Sequence, residues 1–226
     1  MPSKSKNNSS SPDQYSGQEL QKPFFEVRPG YQELPWAGLG ATDSGHQVFF
    51  ASNGKKRLAI KPYWKESPLA RANREAEMLR VIRKAGFLTF TPEKPIESKD
   101  GKIAYLPTIY VPNLRSMSSV VSGGAQNPAV AQQVSRTART LGQLHANGIS
   151  HGDAQIKNFM VDPNDKKRIL VPDPERGGTE DFGHPKNDPY QHDIDSLVQS
   201  LAYKRYGGTH TDAAGDVIIR DVIEPY

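Results

Sequence analysis

The 226-residue sequence contains no cysteine. Disulfide bonds, thiolate metal sites and cysteine nucleophiles are therefore excluded. The sequence also has no uninterrupted run of about 18 apolar residues, the length that a membrane-spanning helix needs, so we expect no membrane association of that kind. The first 18 residues lack the apolar core of a secretory signal, and we therefore expect a cytoplasmic protein.

Charge of one sign is not in large excess, since the formal net charge is +4 at pH 7. The charges are unevenly distributed, however, because residues 54–84 contain ten lysines and arginines but only three glutamates. A local excess of positive charge can attract nucleic acid or another polyanion. A solvated helix face beside a nucleotide pocket explains the same residues. We favour this second interpretation and predict at most a weak contact with nucleic acid.

Large apolar side chains are scarce before Phe24. Residues 1–23 are rich in serine, asparagine, glutamine and lysine, a composition that predicts a disordered tail. From Phe24 onward, short apolar runs bounded by glycine, aspartate, serine and asparagine indicate strands. We predict five strands, at residues 34–39, 47–51, 57–60, 94–98 and 102–111.

One helix is predicted between the third and fourth of these strands. Ser67 is its expected N-cap and Pro68 its first residue, and Gly86 follows its end. The Asn53-Gly54 pair earlier in the chain is a strong signal for a hairpin turn. Residues 24–111 are therefore predicted to form a sheet with a single helix.

The second part of the chain, residues 112–226, is predicted to be mainly helical. Apolar residues at helical spacing predict helices over residues 129–147 and 193–203. A short hairpin and a long loop rich in glycine, proline and aspartate are predicted between them, at residues 159–171 and 174–190. A sheet-rich part followed by a helical part indicates an α+β fold.

The loop after the long helix carries the residues most suited to catalysis. Asp153 lies in the sequence His-Gly-Asp, and Asn158 follows it after five residues. A carboxylate in such a loop can orient a hydroxyl nucleophile and take its proton. An amide can hold a magnesium ion on nucleotide phosphates. The pair is what a phosphotransferase needs.

Lys61 and Glu75 form a second candidate pair. Lys61 ends the third predicted strand, where a lysine can reach nucleotide phosphates if a carboxylate holds its rotamer. Glu75 flanks the apolar stripe of the predicted helix and so points toward the sheet, whereas Glu77 lies further round. Each residue alone is compatible with an ordinary surface charge, but their order ahead of the acid loop favours a functional role.

Taken in order, these motifs resemble those of the protein-kinase-like superfamily. The matching elements are A-I-K ending at Lys61, the helix glutamate Glu75, H-G-D-x-x-x-x-N ending at Asn158, and D-I-D-S-L starting at Asp193. Members with H-G-D include the small atypical kinases, namely the RIO-type and KEOPS-complex kinases, and aminoglycoside-type kinases. Residues 71–79 are most similar to the KEOPS-type kinase.

The resemblance implies a bilobal kinase-like fold. Its N-lobe would be a five-stranded antiparallel sheet with one helix, over residues 24–111. Its C-lobe would be small and mainly helical, over residues 112–226. The resemblance also implies roles for single residues: Lys61 would bind phosphate, Glu75 would orient Lys61, and Asp153 would be the catalytic base.

ATP is the nucleotide that the resemblance implies. Gly38 and Gly40 keep the first two glycines of the superfamily's G-x-G-x-x-G phosphate loop, but Asp43 replaces the third, and a plain turn explains these glycines equally well. Val48 and Ala59 would pack against the adenine.

A magnesium ion is also implied, with Asn158 as one ligand. Two aspartates compete for the second place: Asp173 directly follows a predicted strand, whereas Asp181 begins a literal D-F-G that no strand precedes. We favour Asp173, because a position directly after a strand is stronger evidence than a match to the letters D-F-G. His151 and Asp193 would support the catalytic loop.

We therefore expect an ATP- and Mg²⁺-dependent phosphotransferase of the atypical serine/threonine-kinase type, acting on a protein hydroxyl or within a protein complex. Few residues follow the last predicted helix, which leaves little room for the acceptor pocket of a small-molecule kinase. A small-molecule or sugar kinase is the first alternative. A pseudokinase binding module is the second, because Gln155 replaces the lysine of serine/threonine kinases and the phosphate loop is altered.

Overall fold

The computed structural model describes the chain in seven stretches. These are residues 17–35, 48–122, 128–162, 165, 168–174, 176–179 and 188–206. Within them a sheet-rich half precedes a mainly helical half, which is the α+β arrangement expected from the sequence. No helix in these stretches is long and apolar enough to cross a membrane.

A five-stranded antiparallel sheet forms the first half, as predicted. Its strands are β1 (Gln32–Glu33), β2 (Phe49–Ser52), β3 (Arg57–Tyr63), β4 (Ile96–Glu97) and β5 (Ala104–Ile109), in the spatial order β1-β2-β3-β5-β4. The first strand is shorter and earlier than the predicted one at 34–39, of which residues 36–39 lie outside the described stretches. Strand β3 pairs with β2 on one edge and with β5 on the other, and its pairing with β5 is the longest in the sheet.

The predicted Asn-Gly turn joins β2 to β3. The Asn53 side chain accepts hydrogen bonds from the backbone N–H groups of Lys55 and Lys56, at 3.0 and 2.8 Å. Gly54 has φ +81°, a conformation that glycine adopts without the steric penalty of a Cβ atom.

The first helix, α1 (Gly17–Val27), packs on one face of the sheet. Its Leu20 and Phe24 are buried, and the Phe24 ring lies edge-on to Phe49 and Tyr105, with 5.4 Å between ring centroids in each pair. Edge-on aromatic pairs add to the stabilisation from burial alone. The Tyr105 hydroxyl donates to the Leu20 carbonyl at 3.0 Å.

This helix corrects the prediction of a disordered tail over residues 1–23, which is wrong for residues 17–23. The composition is polar, but two large apolar side chains four residues apart are enough to anchor one helical face on the sheet. Residues 1–16 lie outside the described stretches.

The second helix, α2 (Pro68–Lys84), packs on the opposite face of the sheet, with Ala72, Ala76 and Leu79 buried against it. Its bounds are those predicted. Ser67 is the N-cap residue, as predicted, but it has φ 52° and its side chain makes no capping hydrogen bond. Proline is well suited to the first helical position, because the N–H that it lacks has no partner within the helix.

The described part of the second half contains three α-helices and a small antiparallel sheet. The helices are α3 (Met117–Val121), α4 (Pro128–Ala146) and α5 (Pro189–Tyr206), and the strands are β6 (Arg115–Ser116), β7 (Met160–Val161) and β8 (Ile169–Leu170), in the order β6-β7-β8. The long helix and the hairpin were predicted. Strand β6 was not, because two residues are too few to show an alternating pattern.

One apolar core joins the two halves. Leu141 of α4 and Phe159 pack in the same cluster as Met78 and Ile82 of α2. Helix α2 therefore contacts the sheet with one side and the helical half with another. Glu75, on the same helix, lies at this junction.

Candidate active site

Lys61 lies at the centre of a buried charge cluster. Its Nζ atom is 2.6 Å from Glu75 Oε2 and also contacts Asp173 Oδ1. The side chains of Lys61 and Glu75 are only 11% and 5% exposed. Three elements supply the cluster, since Lys61 is on β3, Glu75 is on α2 and Asp173 follows β8.

The periodicities of the two elements explain the contact between Lys61 and Glu75. Successive side chains of a strand point to opposite faces, so Lys61 and Tyr63 share the face that α2 covers. Leu58 and Ile60 pack in the cluster of α1 on the other face. On α2, Glu75 lies three residues after the buried Ala72 and therefore on the buried stripe.

Tyr63 is a member of the cluster that the sequence analysis missed. Its hydroxyl donates to Glu75 Oε2, the same oxygen that Lys61 contacts. The Lys61 Nζ atom lies 5.2 Å from the centroid of the Tyr63 ring. The signal was present in the sequence, because Tyr63 stands two residues after Lys61 on one strand.

The ionisation of Glu75 reflects this environment. Burial raises the pKa of Glu75 from 4.5 to about 7, and nearby Asp173 adds to the increase, whereas Lys61 and the Tyr63 hydroxyl oppose it. Burial dominates because a carboxylate removed from water loses more hydration than the two donors replace.

This shift predicts a pH-dependent stability. A folded-state pKa above the unfolded value stabilises the fold below pH 4.5, and this contribution is lost as the pH rises through about 7. We expect the free energy of unfolding of the wild type, relative to Glu75→Gln, to fall by up to about 3 kcal/mol between pH 5 and 8. Denaturant melts of both proteins across this range measure it. A difference that does not vary with pH would contradict the shift.

The carboxylate of Asp153 is held by two side-chain amides. Asn158 Nδ2 donates to Asp153 Oδ2 at 3.0 Å and to the Asp153 carbonyl at 2.8 Å. Gln155 Nε2 donates to Asp153 Oδ1 at 2.8 Å. Both carboxylate oxygens are therefore oriented, and a single 3₁₀ turn (Ile156–Asn158) brings Asn158 back toward Asp153.

Asp193 contacts the backbone of this loop. Its Oδ2 and Oδ1 accept hydrogen bonds from the N–H groups of His151 and Gly152, at 2.6 and 2.8 Å, and its Oδ2 lies 3.0 Å from His145 Nε2. It is fully buried within α5, not at the start of that helix. Asp193 therefore contacts the backbone of the loop from inside the helix and does not cap the helix.

Removing these hydrogen bonds should lower the stability of the protein. Asp193→Ala leaves two buried N–H donors without an acceptor, and we expect a loss of about 3 kcal/mol in the free energy of unfolding. Asp195→Ala is the matched control, since Asp195 is exposed on the same helix, and we expect it to cost less than about 0.5 kcal/mol. Thermal melts compare the two, and equal losses would contradict the anchoring role.

His151 connects the loop to the chain that precedes Asp173. Its Nε2 donates to the Pro172 carbonyl at 2.9 Å, and its ring packs on Phe159. The ring is fully buried. Through this contact, the loop that carries Asp153 and the segment that carries Asp173 are held together.

The segment after Asp173 is fixed against both halves. Ser150 and Gly178 form an antiparallel bridge, with N–H···O distances of 3.0 and 3.2 Å. Arg74 of α2 donates to the Gly177 carbonyl at 2.8 Å. Asp173 itself has φ 56°, a left-handed conformation that is uncommon outside glycine and clusters at functional sites.

Gly152 is required by close packing. A Cβ atom at this position would lie 2.0 Å from the Arg176 carbonyl oxygen, and the φ of Gly152 is +81°. Many kinases carry an arginine here that binds a phosphate on the activation loop. No side chain fits at position 152 in this protein.

The remaining predicted site residues divide into two groups. Ala59 is half-buried on β3 and Val48 is half-buried directly before β2, so their contact with adenine stays a prediction. Gly38, Gly40 and the competing Asp181 lie outside the described stretches.

The oxygen donors suit a magnesium ion that is also bound by nucleotide. Mg²⁺ prefers carboxylate and amide oxygens and usually takes only one or two from the protein. Asp173 offers a carboxylate, and the Asn158 amide nitrogen already donates to Asp153, which leaves its oxygen as the ligand atom. Within the described stretches, no three His, Asp or Glu side chains group as a metal site by themselves.

The fold and these two clusters define a protein-kinase-like phosphotransferase. A model of the lipopolysaccharide kinase (Kdo/WaaP) family matches residues 43–215. The chain belongs to this family, whose members are kinases within the protein-kinase-like superfamily. The match contains the candidate site residues from Val48 to Asp193. A comparison with curated proteins gave no match.

Proposed function

We propose that this protein transfers the γ-phosphoryl group of ATP to a sugar hydroxyl of a lipopolysaccharide-type acceptor. The observation that carries the proposal is the family match over residues 43–215. It favours the sugar-kinase alternative over the serine/threonine-kinase interpretation that we preferred from the sequence. The resemblance to RIO-type and KEOPS-type kinases then reflects shared superfamily motifs.

The clusters support a division of labour. Lys61, held by Glu75, binds the phosphates, and the carboxylate of Asp153 accepts the proton of the acceptor hydroxyl. As the new bond from that oxygen to the γ-phosphorus forms, the bond to the bridging oxygen breaks and ADP leaves. Asn158 and Asp173 would hold a Mg²⁺ ion, which would neutralise charge on the phosphates.

The packing at Gly152 supports a site that needs no loop phosphorylation. Position 152 has no room for the arginine that would bind such a phosphate. The hydrogen bonds from Arg74 and Ser150 already fix the segment after Asp173. We therefore expect full activity from the unphosphorylated protein.

The positive segment at residues 54–84 supports nucleic-acid binding only weakly. Several of its cations are engaged within the protein: Lys56 pairs with Glu93, Lys61 with Glu75 and Asp173, Arg80 with Glu77, Arg74 with the Gly177 carbonyl, and Arg71 lies over the Tyr63 ring. Contacts with nucleic acid or with a protein partner, and a cytoplasmic location, stay predictions.

Radiolabel transfer from γ-labelled Mg-ATP tests the proposal. We expect label on lipopolysaccharide or its core oligosaccharide, and none on a serine-rich test protein or an aminoglycoside. Label on the protein alone would restore the serine/threonine-kinase interpretation. Nucleotide binding without transfer to any acceptor would indicate a pseudokinase, and a thermal shift with Mg-ATP detects that binding separately.

A further inference from the structure

We propose that Tyr63 is a positioning residue for phosphoryl transfer, which holds the Glu75 carboxylate so that Glu75 holds Lys61. The inference rests on the proposed function, because it concerns how the nucleotide phosphates are bound. It adds a third member to the pair of Lys61 and Glu75.

The hydrogen bonding of Glu75 carries the inference. Tyr63 and Lys61 donate to the same oxygen, Oε2, from the same face of β3. Tyr63 is fully buried and Glu75 is 4% exposed, so water does not compete freely for this oxygen. A buried carboxylate keeps its rotamer only where its donors are fixed. Tyr63 is a rigid donor on a central strand, whereas the lysine side chain is flexible.

The position of Lys61 gives the hydroxyl its functional importance. Lys61 Nζ contacts Glu75 on one side and Asp173 on the other. Asp173 is also the proposed magnesium ligand, so the lysine and the metal share its carboxylate. With Glu75 held by the Tyr63 hydroxyl, Lys61 is shared between the two carboxylates. A loosely held Glu75 lets Lys61 pair with Asp173 instead.

The Tyr63 ring has a separate role. Lys61 Nζ lies 5.2 Å and Arg71 Cζ lies 5.5 Å from its centroid. Cations at this distance from an aromatic face are attracted to it. Tyr63→Phe keeps these contacts and the buried volume, and removes the hydroxyl alone. This variant therefore isolates the hydrogen bond to Glu75.

The test compares Tyr63→Phe with Tyr105→Phe. Tyr105 is also fully buried on the sheet and donates to the Leu20 carbonyl, away from the site, so it controls for the structural effect of losing a buried hydroxyl. We expect Tyr63→Phe to weaken Mg-ATP affinity and raise the KM for ATP about tenfold, the size of one hydrogen bond to a charged group. We expect Tyr105→Phe to leave both within about twofold and to lower only the Tm.

A double variant separates positioning from packing. In a Glu75→Gln background, Tyr63→Phe should produce no further loss of ATP affinity, because residues that act through one contact are not additive. Full additivity, or wild-type affinity and KM in Tyr63→Phe while Glu75→Gln is impaired, would overturn the inference and leave the proposed function intact. A wild type that binds no Mg-ATP in calorimetry would overturn both.

Discussion

Replacing Asp153 by alanine is expected to abolish phosphate transfer while nucleotide still binds. Under the proposed mechanism this carboxylate takes the proton of the acceptor hydroxyl, and general-base catalysis contributes about 10²- to 10⁴-fold to a rate. Radiolabel transfer from Mg-ATP measures the loss. The nucleotide-induced thermal shift should persist, because Lys61 and Glu75 are unchanged.

Asp100→Ala is the matched control for this variant. Asp100 is an exposed aspartate in the turn before β5, and its side chain is 57% exposed. We expect its transfer rate to equal that of the wild type. Undiminished transfer by Asp153→Ala would exclude Asp153 as the base, and a thermal shift lost in the same variant would show that the loop had also been disturbed.

Replacing Gly152 by alanine is expected to destabilise the protein severely. The new Cβ atom would lie 2.0 Å from the Arg176 carbonyl oxygen, so either the catalytic loop or the segment after Asp173 must move. A clash and an unfavourable φ together cost about 3 kcal/mol, or roughly 10 °C in Tm for a chain of this size. We expect transfer to be lost as well, because the disturbed loop carries Asp153 and is held by hydrogen bonds to Asp193.

Gly54→Ala provides an unusually close control. Gly54 has the same φ of +81°, but its Cβ position has no atom within 4 Å. Only the conformational penalty should therefore appear, about 1 kcal/mol. Thermal melts of the two variants separate strain from clash. Equal losses of Tm would show that close packing against Arg176 does not matter.

Local patterns were sufficient for much of the fold. The bounds of α2 and the hairpin turn at Asn53 follow from proline, glycine and apolar spacing, all of which act within a few residues. The segment at α1 was misjudged because polar composition outweighed two buried side chains, Leu20 and Phe24. Their stabilisation comes from aromatic residues on a sheet formed later in the chain.

The class of phosphate acceptor expected from the sequence also differs from the class that the family match favours. From the sequence we expected a protein hydroxyl as the acceptor. The family match over residues 43–215 favours a sugar acceptor instead. Spacing of catalytic residues reports the chemistry of phosphoryl transfer, which the kinases share, and carries little information on the acceptor.

The sequence by itself determined the order and spacing of the groups that phosphoryl transfer requires: Lys61, Glu75, Asp153, Asn158 and Asp173. Such motifs can be recognised in the sequence because each lies within a single strand, helix or loop. Only the tertiary structure decided which of these groups contact one another and which further residues they meet. Tyr63 meets Glu75, and Gly152 meets the Arg176 carbonyl, only because separate elements pack together, and burial raises the pKa of Glu75 through that same packing.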